Sequence, residues 1–220
     1  MKLTFEAFAR PLFGLRYQGA VRALLVSGIV FFGLRLAGLR WSLPLPTLYL
    51  LVTAGTGGIL WQSLAAEGRS PNLENPCMLP VSSRTFVFSY VAALGSHTLL
   101  TKTVPLLAAL LPVSVWPPVA LGGSLLCGVH GVLVTAALFV QRTWVVGGLW
   151  AAAVAALLLL GGTGPGLFLG LAASSLLAGW CLWHTDGYAF YRPGEARLPR
   201  HRFYGRPSLG RYLVRYLLSH

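Results

Sequence analysis

The chain has 220 residues, 55% of them apolar and only 10% charged, with a net charge of +12. An ordinary soluble domain is roughly 25% charged, so too few charges remain here to cover a water-soluble globular enzyme, and the high hydrophobicity excludes a disordered chain.

The few charges are spread unevenly. Residues 41–66, 85–101, 103–141 and 143–185 carry no Asp, Glu, Lys or Arg. Uncharged apolar stretches of that length read as transmembrane helices. Solid blocks such as 151–160, AAAVAALLLL, lack the two-residue alternation of a β-barrel strand. The sequence therefore predicts an all-α polytopic membrane protein of about six transmembrane helices, with interfacial amphipathic helices at both ends. It divides into an amphipathic N-terminal helix over 1–20, a transmembrane domain over 21–183 and a basic tail over 184–220.

Residues 1–20 place Phe5, Phe8, Leu12 and Leu15 at helical spacing, with Lys2, Arg10 and Arg16 between them. That pattern predicts a helix lying in the membrane interface. No small-residue cleavage site follows the first apolar run, so the segment reads as retained rather than as a signal peptide. The first span is expected over 20–39, with Arg22 and Arg35 near its ends and Trp41 as an interfacial anchor. The second is expected over 45–66. A polar loop, Glu67–Arg84, follows and leads into a third span over 85–102. Residues 103–141 are about twice as long as one crossing needs. Pro105, Pro112, Pro117 and Pro118 break their first part. The fourth span therefore falls over 119–140, and residues 103–118 are either re-entrant or an extension of the third helix. The fifth span, 143–160, and the sixth, 166–183, are joined by a tight glycine-rich turn.

Positive charge sets the expected orientation. With six spans, one side holds Lys2, Arg10, Arg16, Arg22, Arg69, Arg84, Arg142 and the seven tail arginines, fourteen in all, against Arg35, Arg40 and Lys102 on the other. Both termini are thus expected in the cytoplasm of a cell-membrane protein.

Small residues recur every four positions at Gly123, Cys127 and Gly131, and again at Gly166, Gly170, Ser174 and Ala178. Such stripes let helices approach closely, and packing within the chain is the favoured reading over a subunit interface. Cys77, Cys127 and Cys181 form no CxxC motif and read as free thiols. Neither lysine completes a phosphate-binding P-loop, so the chain hydrolyses no ATP of its own by that route. No catalytic set and no metal or cofactor site stands out. His97, Lys102 and His130 lie within or beside spans and are candidate translocation-path residues. His97 and His130 differ in expected depth by ~9 Å, too far apart for one haem iron. Arginines interleaved with tyrosines in the tail suit anionic lipid rather than nucleic acid.

The loop before the third span presents Met78, Leu79 and Val81, apolar residues where polar ones are expected, and Ser82 is placed to cap the next helix. An apolar knob at the membrane surface suits docking to a partner. Leu79-Pro80-Val81-Ser82-x-Arg84, between the second and third of six spans and after an amphipathic N-terminal helix, resembles the permease subunits of ABC-2 type exporters. The resemblance implies that Met78, Leu79, Pro80, Val81, Ser82 and Arg84 couple the chain to a separate ABC ATPase subunit. ATP would be bound there and not in this chain, which would work as a homodimer or beside a second permease half. Many members have a second basic residue where Ser83 stands. Peptide, lipid and drug-like cargoes all suit an apolar lining without carboxylates. An integral-membrane enzyme or haem subunit using His97 or His130, and a non-transporting scaffold with a partner-binding tail, are the alternatives.

Overall fold

The computed structural model describes residues 2–14, 18–38, 43–68, 81–112, 119–141, 144–160 and 164–190. Met78, Leu79 and Pro80 of the loop expected to dock a partner, and the tail beyond residue 190, lie outside the described residues. Every regular element among the described residues is helical. The order is α1 (Lys2–Phe13), α2 (Gln18–Leu36), α3 (Leu45–Glu67), α4 (Ser83–Thr98), a π turn (Leu99–Thr103), α5 (Val104–Leu110), α6 (Val119–Gln141), α7 (Trp144–Leu160), α8 (Pro165–Trp183) and a 3-10 turn (Gly187–Phe190). Four segments are long and apolar enough to cross a membrane: Gln18–Leu36, Leu45–Glu67, Ala120–Gln141 and Pro165–Trp183.

Local chemistry sets the ends of these helices. Pro44 precedes α3, and a proline stands in its first turn, where the missing N–H has no partner to lose. Ser82 caps α4, its Oγ accepting the Thr85 N–H at 3.4 Å, as its position in the sequence predicts. Gly14 and Gly38 end α1 and α2 with φ of 74° and 66°, the left-handed conformation in which glycine closes a helix without strain.

The third span departs most from expectation. Helical backbone runs unbroken for 28 residues, from Ser83 through the π turn to Leu110, or about 42 Å at 1.5 Å per residue. Residues 103–110 thus extend the third helix rather than re-enter the membrane; 113–118 lie outside the described residues. Pro105 explains the π turn. In a continuous α-helix its ring would collide with the carbonyl of Thr101 and leave that carbonyl without its donor. Here the Val104 N–H reaches back to the Leu99 carbonyl, and the wider turn makes room for the ring.

α1 and α2 divide the flank of this long helix between them. Phe8 meets Phe86 and Tyr90 edge-on at 5.2 and 5.4 Å, and Phe13 meets His97 at 5.2 Å. Phe5 and Leu12 pack on the same cluster. The stripe expected to face the bilayer is therefore taken up by protein. α2 packs beyond it, along the π turn and α5. The opposite face of α2, with Leu25, Ile29, Phe32 and Leu36, is exposed, as a lipid-facing helix requires.

Two apolar cores sit at opposite ends of the bundle. One gathers Phe8, Leu64, Phe86, Tyr90, Phe139 and Phe190, the other Leu48, Tyr49, Leu107, Leu167 and Leu171. The small-residue stripes run into these cores, Cys127 in the second and Ala178 in the first, and most of their members pack within the chain. A Cβ on Gly131 would stand 2.8 Å from the Thr53 carbonyl oxygen, and one on Gly123 would strike the Tyr49 ring. Gly170 is covered by Leu157, while Gly166 meets nothing. Ser174 accepts a 2.8 Å hydrogen bond from Trp150 Nε1, tying α7 to α8. Trp150→Phe is expected to lower stability by about 1 kcal/mol, the usual worth of an interhelical hydrogen bond in a membrane. Ser174→Ala should lower it equally, and the double variant no further, by reversible unfolding in mixed micelles.

Candidate functional site

The described part of the loop between α3 and α4 returns to the bundle at Val81 and Ser82. Val81 is half-buried and Ser82 and Arg84 are exposed. The Ser82 hydroxyl, besides capping, donates to Thr85 Oγ1 at 2.9 Å. The next residues are held by the far end of the chain. Ser83 Oγ donates to Asp186 Oδ1 at 3.0 Å, and the same oxygen accepts the Tyr188 N–H at 3.4 Å. The Arg84 guanidinium lies 4.8 Å over the Trp183 ring, a favourable cation–π distance. Phe88 meets that indole at 5.7 Å.

Behind this contact the 3-10 turn folds back into the bundle. Phe190 is fully buried, edge-on to Tyr90 at 5.3 Å and stacked on Phe139 at 6.3 Å. Gly187 sits against the Phe86 ring, and Gly68 against the Phe190 carbonyl, at positions where a Cβ would come within 3 Å. Gln141 Nε2 donates to Cys181 Sγ at 3.2 Å. The end of α3, the start of α4 and the ends of α6 and α8 therefore share one end of the bundle. Sequence reasoning placed Arg84 there but missed Trp183, Asp186, Gly187 and Phe190, which it assigned to the last span and the tail. The apolar Phe190, following an Asp-Gly turn within a polar stretch, was the signal that could have found them.

The three candidate translocation-path residues lie against different neighbours. His97 is half-buried against Phe13. Lys102 is exposed on the π turn, nineteen residues after Ser83, which is ~29 Å of helix or about one hydrocarbon thickness. The turn itself is fastened to α3 by a buried 2.8 Å hydrogen bond between Thr103 and Thr56. His130 is buried at the midpoint of α6, eleven residues from either end. Its Nδ1 pairs with Ser175 Oγ of α8 at 2.9 Å.

Beside His130, α3, α6 and α7 line an open groove of about 410 Å³. Ala54, Gly58, Ala151 and Ala155 form much of its wall, with Trp61 and Val134. Among the described residues no group of three or more His, Cys, Asp or Glu could hold a metal ion, and Cys127 and Cys181 are free thiols. Compared with known protein families, with curated proteins and with solved structures, the chain matches none.

Proposed function

We propose that the chain is the membrane-spanning subunit of an ATP-driven exporter of the ABC-2 type. Its helices would make six crossings, with both termini in the cytoplasm. It would pair with a second copy or a second permease half, and with ABC ATPase subunits that bind and hydrolyse the ATP. The observation that carries this reading is where the two ends of loop 67–84 join the bundle. The loop leaves α3 at Glu67 and returns through the Ser82 cap to Arg84, at the end where the core is most aromatic. The preceding Met78, Leu79 and Val81 supply the apolar knob. By positive charge, fourteen cations against three, this end faces the cytoplasm. The chain carries no P-loop lysine, so the work must come from another subunit.

ATP binding would move the knob, and the firmly held start of α4 would pass that movement to the bundle, shifting it between inward-open and outward-open states. The basic tail would lie against anionic lipid. The test is purification of the tagged chain from its native membrane. An ABC ATPase is expected with it. Leu79→Asp combined with Val81→Asp should lower its recovery about tenfold or more, because two charges then oppose an apolar contact. Undiminished recovery after that change would sink the docking claim, and purification without any ATPase would sink the exporter reading.

A further inference from the structure

We propose that the end of the bundle where α4 begins and α8 ends binds the head of a phospholipid that carries a primary ammonium, with Arg84 on its phosphate and Asp186 on its ammonium. The first observation is a pair of opposite charges brought close but not joined. Ser83 Oγ holds Asp186 Oδ1, and the Trp183 ring holds the guanidinium of the next residue, Arg84. Both charged groups are exposed, yet neither enters an ion pair among the described residues. The Ser83 hydroxyl and the Tyr188 N–H both go to Oδ1, so Oδ2 keeps its capacity to accept. The Trp183 contact acts on the charge of Arg84 and leaves most of its five N–H donors for oxygen acceptors.

The second observation is where the pair sits. α8 is long and apolar enough to cross a membrane and ends at Trp183. Asp186 is the first charged residue after Arg142. Trp180 and Trp183 are exposed at this end, as tryptophans at a membrane–water boundary are. Farther along the same helices Leu176 of α8 and Ala92 of α4 are exposed, and a Cβ on Gly179 would meet nothing within 4 Å. The surface that runs from the charges toward the apolar middle of the bundle is therefore open and without polar groups to satisfy, as an acyl chain requires.

These features select the lipid. A guanidinium takes phosphate oxygens in charge-assisted hydrogen bonds, and every phospholipid offers those. Asp186 discriminates among them. A primary ammonium donates to Oδ2 and answers its charge. A quaternary ammonium has no N–H to give, and the aromatic faces it would seek are engaged, Trp183 by Arg84 and Trp180 by His184 at 4.5 Å. A head with phosphate and no cation brings its negative charge against that of Asp186. The inference rests on α8 crossing the membrane and not on the exporter reading.

The experiment uses the full chain, freed of lipid in detergent micelles, and native mass spectrometry with dioleoyl phosphatidylethanolamine, phosphatidylglycerol and phosphatidylcholine. The first phosphatidylethanolamine should bind about tenfold more tightly than the first phosphatidylcholine, a comparison that needs no variant. Asp186→Asn keeps an oxygen for Ser83 but loses the charge. It should erase the advantage of phosphatidylethanolamine and strengthen the binding of phosphatidylglycerol, a change of preference that partial unfolding would not produce. Arg84→Gln should weaken all three about tenfold, because all three carry the phosphate. Equal binding of phosphatidylethanolamine and phosphatidylcholine by the unaltered chain, phosphatidylglycerol binding as tightly as phosphatidylethanolamine, or an unchanged order of preference in Asp186→Asn would overturn the proposal. The expected preferences in a chain that purifies without an ATPase would remove the exporter reading and leave the lipid site standing.

Discussion

Gly131→Leu is expected to prevent α3 and α6 from packing, with a loss of more than about 3 kcal/mol. The obstacle is backbone. A Cβ at this position would already stand 2.8 Å from the Thr53 carbonyl oxygen and 3.5 Å from its carbonyl carbon, and a carbonyl held in a helix cannot rotate aside. Leucine adds three further carbons to that clash. Gly131→Ala should be milder, at about 1–3 kcal/mol of overpacking, partly offset by the ~1 kcal/mol gain in helix propensity. Gly122→Ala, on the same helix but with nothing within 4 Å, should be neutral or stabilising. Reversible unfolding in mixed micelles, followed by circular dichroism, measures all three. Equal behaviour of the Gly131 and Gly122 alanine variants would show that the close approach is not what holds these helices.

The second large effect is expected at the opposite extreme of side-chain size. Phe190 is fully buried between Tyr90 and Phe139, so Phe190→Ala should lower stability by about 3–5 kcal/mol. Phe190→Leu preserves most of the volume and should lower it by less than about 1.5 kcal/mol. Loss of the ring also removes what holds the 3-10 turn, and with it the grip of Asp186 on Ser83. Amide hydrogen exchange in the first turns of α4 should therefore rise in Phe190→Ala while exchange at the Leu167 end of α8 stays as it was. Unchanged exchange at Ser83–Phe88 would mean that the start of α4 is held without the turn.

The helices were legible because the charges punctuate the chain. The expected spans over 20–39, 45–66, 119–140, 143–160 and 166–183 match helices within three residues at each end. The Ser82 cap was legible because a cap is a local rule, read from one hydroxyl and the residues that follow. The glycine stripes were legible because close approach needs the absence of a side chain, and absence shows in a sequence. What could not be read was which helix faces which. In a soluble helix polar residues mark the outer face; here nearly every face is apolar, so periodicity names no partner. Phe8 could equally have faced lipid, and only three-dimensional shape sets it between Phe86 and Tyr90. Of the site, Val81, Ser82 and Arg84 were visible from their order along the loop. Trp183 and Asp186, about a hundred residues further on, were not, because their contacts with Arg84 and Ser83 depend on how the start of α4 and the end of α8 come together.

The π turn at Leu99–Thr103 also acts as a phase shifter. Each residue of an α-helix turns the chain by about 100°, so one residue accommodated in a wide turn rotates everything beyond it relative to everything before. Phe86, Tyr90 and Leu94 point into one core, and Leu107 points into the other, although a straight helix would not carry one stripe through both. Deleting a single residue between Leu99 and Thr103 would regularise the hydrogen bonds only to swing Leu107 and Ala108 off their seats. A sequence editor scanning this chain for an irregularity to repair would thus dismantle the joint by which one helix serves two differently oriented interiors.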